Sequence, residues 1–67
     1  MYTIQMVSAS DKDRYDNKPS NRWEDIVVGQ TAEATLLGLI EALNSETIVV
    51  NNMWLRLVKP DSSIINM

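Results

Sequence analysis

The sequence contains no cysteine and no histidine. Without cysteine the fold holds no disulfide, and without either residue type a Cys/His zinc site is excluded. The same absences exclude a thiol nucleophile, a Ser–His–Asp triad and an imidazole general base. A chain of 67 residues that lacks disulfides and a zinc site is marginally stable by itself, so its size indicates either self-association or unusually good packing.

Glycine is also scarce, because Gly29 and Gly38 are the two glycines of the chain and stand far apart. No P-loop, GxGxxG or HExxH motif is present, so the chain has no glycine-rich phosphate cradle. The carboxylates of Asp11, Asp13 and Asp16 lack the glycine and the later glutamate that a calcium loop needs. We therefore expect a protein that is not an enzyme and has no cofactor and no metal.

The charge balance argues against nucleic acid as a partner. Six basic residues stand against nine acidic ones, and bases alternate with acids in the segment 11–14. Binding to a phosphate backbone needs a basic patch. The chain also lacks an apolar run long enough to span a membrane, and residues 1–5 lack the basic start of a signal peptide. We expect a cytoplasmic protein with no membrane association.

Hydrophobic periodicity predicts one α+β domain over residues 1–67: an antiparallel sheet in β-β-α-β-β order with one helix packed on one face. Thr31 is a good N-cap for the helix. The predicted elements are strands over 2–9 and 23–30, a helix over 32–43, and a hairpin over 47–58 that turns at Asn51-Asn52. A long polar loop over 8–21 joins the first two strands, and residues 62–67 form either a short extra strand or a mobile tail.

The helix carries two different apolar faces. At 3.6 residues per turn one stripe lies on the sheet; it consists of Leu36, Leu39, Ile40 and Leu43, with Leu37 at its border. The opposite side carries Ala34, Gly38 and Ala42, spaced four residues apart. Small residues at this spacing let a second helix approach, which predicts a homodimer. The alternative is an exposed face on which alanine serves as a helix former.

Residues of the types enriched in binding hot spots fall in two places. Arg14 and Tyr15 lie in the polar loop and Arg22 directly follows it, and the hairpin register puts Trp54 and Arg56 on the sheet face away from the helix. We predict that these five residues contact a partner. The alternatives are that the loop residues are ordinary surface, and that strand one or the C-terminal segment covers Trp54 and Arg56.

The layout resembles that of small phage-encoded proteins, among them some anti-CRISPR inhibitors. The likeness lies in Tyr2-Thr3-Ile4-Gln5, Thr31-Ala32-Glu33-Ala34 and Asn52-Met53-Trp54-Leu55. The resemblance implies a non-catalytic inhibitor that occupies a surface of a larger host protein or defence complex. One alternative is a homo-oligomer that binds a small ligand or nucleotide between subunits, where arginine and tryptophan suit an anionic aromatic group. A second alternative is a nucleic-acid-binding accessory protein.

Overall fold

The computed structural model describes residues 1–8, 23–51 and 53–67. One helix packs on a four-stranded antiparallel sheet of order β2-β1-β3-β4, which confirms the predicted α+β class. The elements are β1 Tyr2–Ser8, β2 Glu24–Gly29, α1 Ala32–Asn44, β3 Met53–Val58 and β4 Ile64–Asn66. The predicted β-β-α-β-β order is therefore correct, although the last two strands are not the predicted pair.

Strand β1 is central and pairs on both edges. Gln5 lies opposite Asp25 of β2 on one edge and opposite Arg56 of β3 on the other. The β1–β2 register shifts between Ile4 and Gln5, which leaves Ile26 as an extra residue on β2. Such a bulge re-aims a side chain, and Ile26 packs against the core here.

The helix begins and ends where the sequence predicts. Thr31 has extended backbone angles, and its side-chain oxygen accepts a hydrogen bond from the Ala34 N–H at 3.1 Å. After Asn44 the chain enters a Schellman turn, in which the Thr47 N–H donates to the Ala42 carbonyl at 3.0 Å. Glu46 occupies the left-handed position of this turn, with φ of 57°.

The predicted hairpin over 47–58 is wrong, because residues 47–51 form no strand. The N–H groups of Thr47 and Ile48 both donate to the Ala42 carbonyl, so the helix end takes the donors that a strand ladder needs. Strand β3 pairs instead with β1 and β4. The C-terminal segment is the short extra strand of the two predicted alternatives.

The predicted orientation of the helix is also wrong. Leu39 alone of the predicted stripe is buried, in a cluster with Ile4 and Leu57. Thr35 is fully buried, and it lies where a side chain at Gly29 would stand. A Cβ atom on Gly38 would lie 3.0 Å from the Val27 Cγ1 atom. The helix therefore turns its small residues to the sheet, because they allow the closer approach of the two backbones.

Candidate interaction surface

The exposed surface of α1 carries four large aliphatic side chains, which we call the leucine face. Its members and their exposed fractions are Leu36 at 38%, Leu37 at 53%, Ile40 at 52% and Leu43 at 40%. Their spacing of one, three and four residues makes them neighbours on the helix surface. Single exposed leucines are ordinary in proteins, whereas a contiguous apolar patch marks an interaction site.

Two neighbouring residues show how the sheet places this face. Gly38 contacts Val27 of β2, while Leu39 reaches Ile4 of β1 and Leu57 of β3. At 100° per residue, Leu36, Ile40 and Leu43 follow Leu39 around the helix on the side away from Gly38. These three side chains therefore lie on the flank of the helix that is turned towards β3, and Leu37 lies on the outward side.

Carboxylates border the leucine face. Glu33 and Glu41 stand four residues before and after Leu37, so both lie beside it on the helix surface. The helix contains no lysine or arginine, and the exposed Glu46 follows its last turn. The surface formed by α1 is therefore apolar in the middle and negative at its edges.

The opposite face of the sheet holds a buried polar array. The Arg56 guanidinium carbon lies 4.0 Å from the centroid of the Trp23 ring. Arg56 Nε donates to Gln5 Oε1 at 2.8 Å, and Gln5 Nε2 donates to Asp25 Oδ1 at 2.8 Å. Burial lowers the pKa of the Arg56 guanidinium from its ordinary value, and the group stays charged at neutral pH because that value is very high.

This array changes the expectation for Trp54 and Arg56. Both lie on the face away from the helix, as the hairpin register implied, but Arg56 is 1% exposed and Trp23 packs over it. Trp23 is itself 6% exposed, so it belongs to the interior. Trp54 is 37% exposed and a partner can reach it. A partner contact by Arg56 stays a prediction, and it would require the Trp23 ring to move.

The other predicted site residues have varied placements. Ala34 is exposed, while Gly38 and Ala42 are half-buried on the side of the helix nearer the sheet. Their role in self-association stays a prediction, although Gly38 already has a close neighbour within the chain. Arg14, Tyr15 and Arg22 lie outside the described residues, as does the predicted polar loop after Ser8.

Sequence reasoning missed three groups that matter in the structure. It placed the leucine face in the core, and it gave Gln5 and Asp25 no part in a polar array with Arg56. The pattern of alternation in β1 and β3 predicts that Gln5 shares a face with Arg56 once these two strands are neighbours. No signal in the sequence shows that neighbour relation, because it depends on which strand pairs with β1.

Comparison with protein-family models, with curated proteins and with solved structures found no match to this chain. Within the part of the chain that the structure describes, no helix has the length and apolar character needed to cross a membrane. The same residues hold no group of three or more acidic side chains placed to share a metal ion. The function is therefore inferred from the surfaces described above.

Proposed function

We propose that this chain is a small non-catalytic binding protein that acts by occupying a surface of a larger protein. The observation that carries the proposal is the leucine face, on which four aliphatic side chains are between 38% and 53% exposed. The resemblance to small phage-encoded inhibitors supports the same class of action. A host protein or a defence complex is the kind of target that this resemblance implies.

Energetics show why a partner protein fits this surface. Completing the burial of a half-exposed leucine or isoleucine contributes about 1 kcal/mol, so the four side chains contribute about 4 kcal/mol together. Association costs about 4–15 kcal/mol in lost translational and rotational freedom. The leucine face thus serves as the centre of a larger contact, in which polar groups around it add affinity and specificity.

Other functions gain less from the described residues. A ligand site built from arginine and tryptophan at a subunit seam needs those groups at the surface, and Arg56 is buried under Trp23. Binding of nucleic acid needs exposed lysine or arginine side chains, and residues 23–55 contain neither. In a homodimer through Ala34, Gly38 and Ala42, the second helix would have to approach Gly38 where the Val27 side chain already lies close to it.

Photo-crosslinking in cells that express the chain tests the proposal. A photoreactive amino acid replaces Leu37 in one variant and Val28 in a matched control, since both side chains are about half exposed and lie on opposite sides of the sheet. We expect a discrete adduct from position 37 that is lost when Ile40→Ser is added, and no such adduct from position 28. Equal adducts from both positions, or none from either, would contradict the proposal.

A further inference from the structure

We infer that the occupant of the leucine face is an amphipathic segment of another protein whose apolar side is bordered by lysine or arginine. This inference rests on the proposed function, because it names the partner chemistry of the same surface. Its basis is the juxtaposition of four exposed aliphatic side chains with a border of carboxylates that has no basic member among the residues that the structure describes.

The excess of acidic over basic residues extends beyond the helix on both sides of it in the sequence. No lysine or arginine occurs in residues 23–55, and that stretch contains five acidic residues: Glu24, Asp25, Glu33, Glu41 and Glu46. Of the basic residues that the structure describes, Arg56 is buried on the opposite face of the sheet, and Lys59 follows β3. A surface of one sign attracts a partner of the other sign and repels one of the same sign.

A second copy of this chain fits the same surface less well. In an antiparallel helix pair, the register that sets Leu36 beside Leu43 of the other copy also brings Glu33 to the end of the other helix, where Glu46 follows the last turn. Both copies would therefore bring carboxylates together at each end of the contact. A border of lysine or arginine on a different protein turns those repulsions into attractions, and it leaves the apolar centre unchanged.

The dimensions of the surface fit a short helix. Leu36 and Leu43 are seven residues apart, so the leucine face is about 10 Å long at ~1.5 Å per residue. A partner helix covers this length with two turns, and it presents its anchors at positions i, i+3 or i+4, and i+7. Glu33, Glu41 and Glu46 then lie where side chains at the edge of that partner helix can reach them.

Two synthetic helical peptides test the inference. They share one leucine pattern, and lysine borders the leucines in the first peptide while glutamate borders them in the second. Fluorescence anisotropy measures binding of each peptide to the purified full chain. We expect the lysine peptide to bind at least about tenfold more tightly than the glutamate peptide, and added salt to reduce this ratio because it screens exposed charges.

Three variants locate the effect. Glu41→Gln should weaken the lysine peptide about two- to fivefold, the range for one exposed ion pair. Glu24→Gln is the matched control, since it removes the same charge from an exposed residue of β2 instead of from the helix, and it should leave affinity within about twofold. Ile40→Ser should reduce the binding of both peptides, and circular dichroism confirms that the variant is folded.

The remaining outcomes distinguish a failure of this inference from a failure of the proposed function. Equal binding of both peptides overturns the basic partner and leaves an apolar docking surface. If neither peptide binds and sedimentation shows a dimer that Ile40→Ser dissociates, the occupant is a second copy and the inference is wrong. If neither peptide binds a monomeric chain, the inference fails, and the crosslink from position 37 decides separately whether the proposed function stands.

Discussion

The guanidinium of Arg56 stacks on the indole ring of Trp23, with 4.0 Å between the guanidinium carbon and the ring centroid. Both side chains are more than nine-tenths buried. Gln5 turns its carbonyl oxygen to Arg56 and its amide to Asp25, so one neutral side chain on β1 joins a cation on β3 to an anion on β2. The Trp23 ring and the side-chain amide of Gln5 therefore both stabilise the positive charge of Arg56.

A double-mutant cycle measures the Trp23–Arg56 pair. Trp23→Leu and Arg56→Met should each lower the free energy of unfolding by about 2–4 kcal/mol, because each leaves a poorly filled or unsatisfied site in the interior. The coupling between them should be about 0.5–2 kcal/mol, the range for a desolvated cation–π contact. Urea denaturation followed by circular dichroism gives all four values.

The control cycle pairs Arg56→Met with Leu39→Ala, since Leu39 lies on the other side of the sheet. The effects of these two substitutions should add within about 0.5 kcal/mol. If the Trp23 cycle were equally additive, the stacking would have no energetic role.

The orientation of the helix is tested by two adjacent residues. Leu39→Ala should cost about 2–4 kcal/mol, since Leu39 is 6% exposed and packs on Ile4 and Leu57. Ile40→Ala should cost less than about 1 kcal/mol, because Ile40 is 52% exposed and alanine is the better helix former. Thermal or urea unfolding measures the stability loss of each variant. Equal losses would support the predicted helix orientation, in which Ile40 packs on the sheet together with Leu39.

Local patterns predicted most elements of this fold. Thr31 capped the helix as expected, and the β-forming residues of β1 and β2 lie in strands. The face of the helix that meets the sheet was missed, because periodicity finds an apolar stripe without showing which stripe lies closer to the sheet. Here Gly29 and Gly38 decide the matter by allowing close approach, and that is a property of two elements together.

The strand pairing was missed for a similar reason. Residues 47–50 are rich in β-formers, so a local hairpin with Met53–Val58 looked favourable. The Schellman turn at Glu46 uses the N–H groups of Thr47 and Ile48, and β1 has a free edge that β3 takes instead. The leucine face was missed because of these two errors. Its exposure depends on which side of the helix meets the sheet and on which strand pairs with β1.

The two glycines should respond differently to alanine. In Gly29→Ala the new Cβ would collide with the Thr35 side chain and lie 3.0 Å from the Thr35 backbone nitrogen, so we expect a loss of about 1–3 kcal/mol. In Gly38→Ala the close neighbour among the described residues is the end of the Val27 side chain, and the helix gains about 1 kcal/mol of propensity. That variant should be near neutral, and a larger loss for Gly38→Ala than for Gly29→Ala would contradict the packing described here.

Glu46 offers a stabilising substitution. Its φ of 57° is in the left-handed region, which costs an ordinary residue about 1–2 kcal/mol. Glu46→Gly should raise the free energy of unfolding by about 0.5–1 kcal/mol, after the entropy cost of glycine is subtracted. Glu46→Ala is the control, because it removes the same charge and keeps the Cβ atom. Equal stability of the two variants would show that backbone strain at this turn is unimportant.

The turn between β3 and β4 should be sensitive to acid. Asp61 Oδ1 accepts hydrogen bonds from the Ser63 hydroxyl at 2.6 Å and from the Ser63 N–H at 3.0 Å. These bonds, the side-chain one first, lower the pKa of Asp61 below its ordinary value. The stabilisation is therefore fully present above the unfolded pKa of about 3.9, and it is lost as pH falls through the lower folded pKa.

Ser63→Ala tests the link between the pKa of Asp61 and the stability of the turn. It removes the hydroxyl donor, so the pKa of Asp61 should rise towards its ordinary value, and the turn should then lose less stability on acidification. Ser62→Gly is the control: Ser62 adopts a left-handed φ of 71° and donates its N–H to the Lys59 carbonyl, an arrangement that glycine retains. An NMR titration of the Asp61 carboxyl carbon in the three proteins gives the comparison. An unchanged pKa in Ser63→Ala would mean that the backbone N–H of Ser63 alone holds the carboxylate, because that donor survives the substitution and the hydroxyl does not.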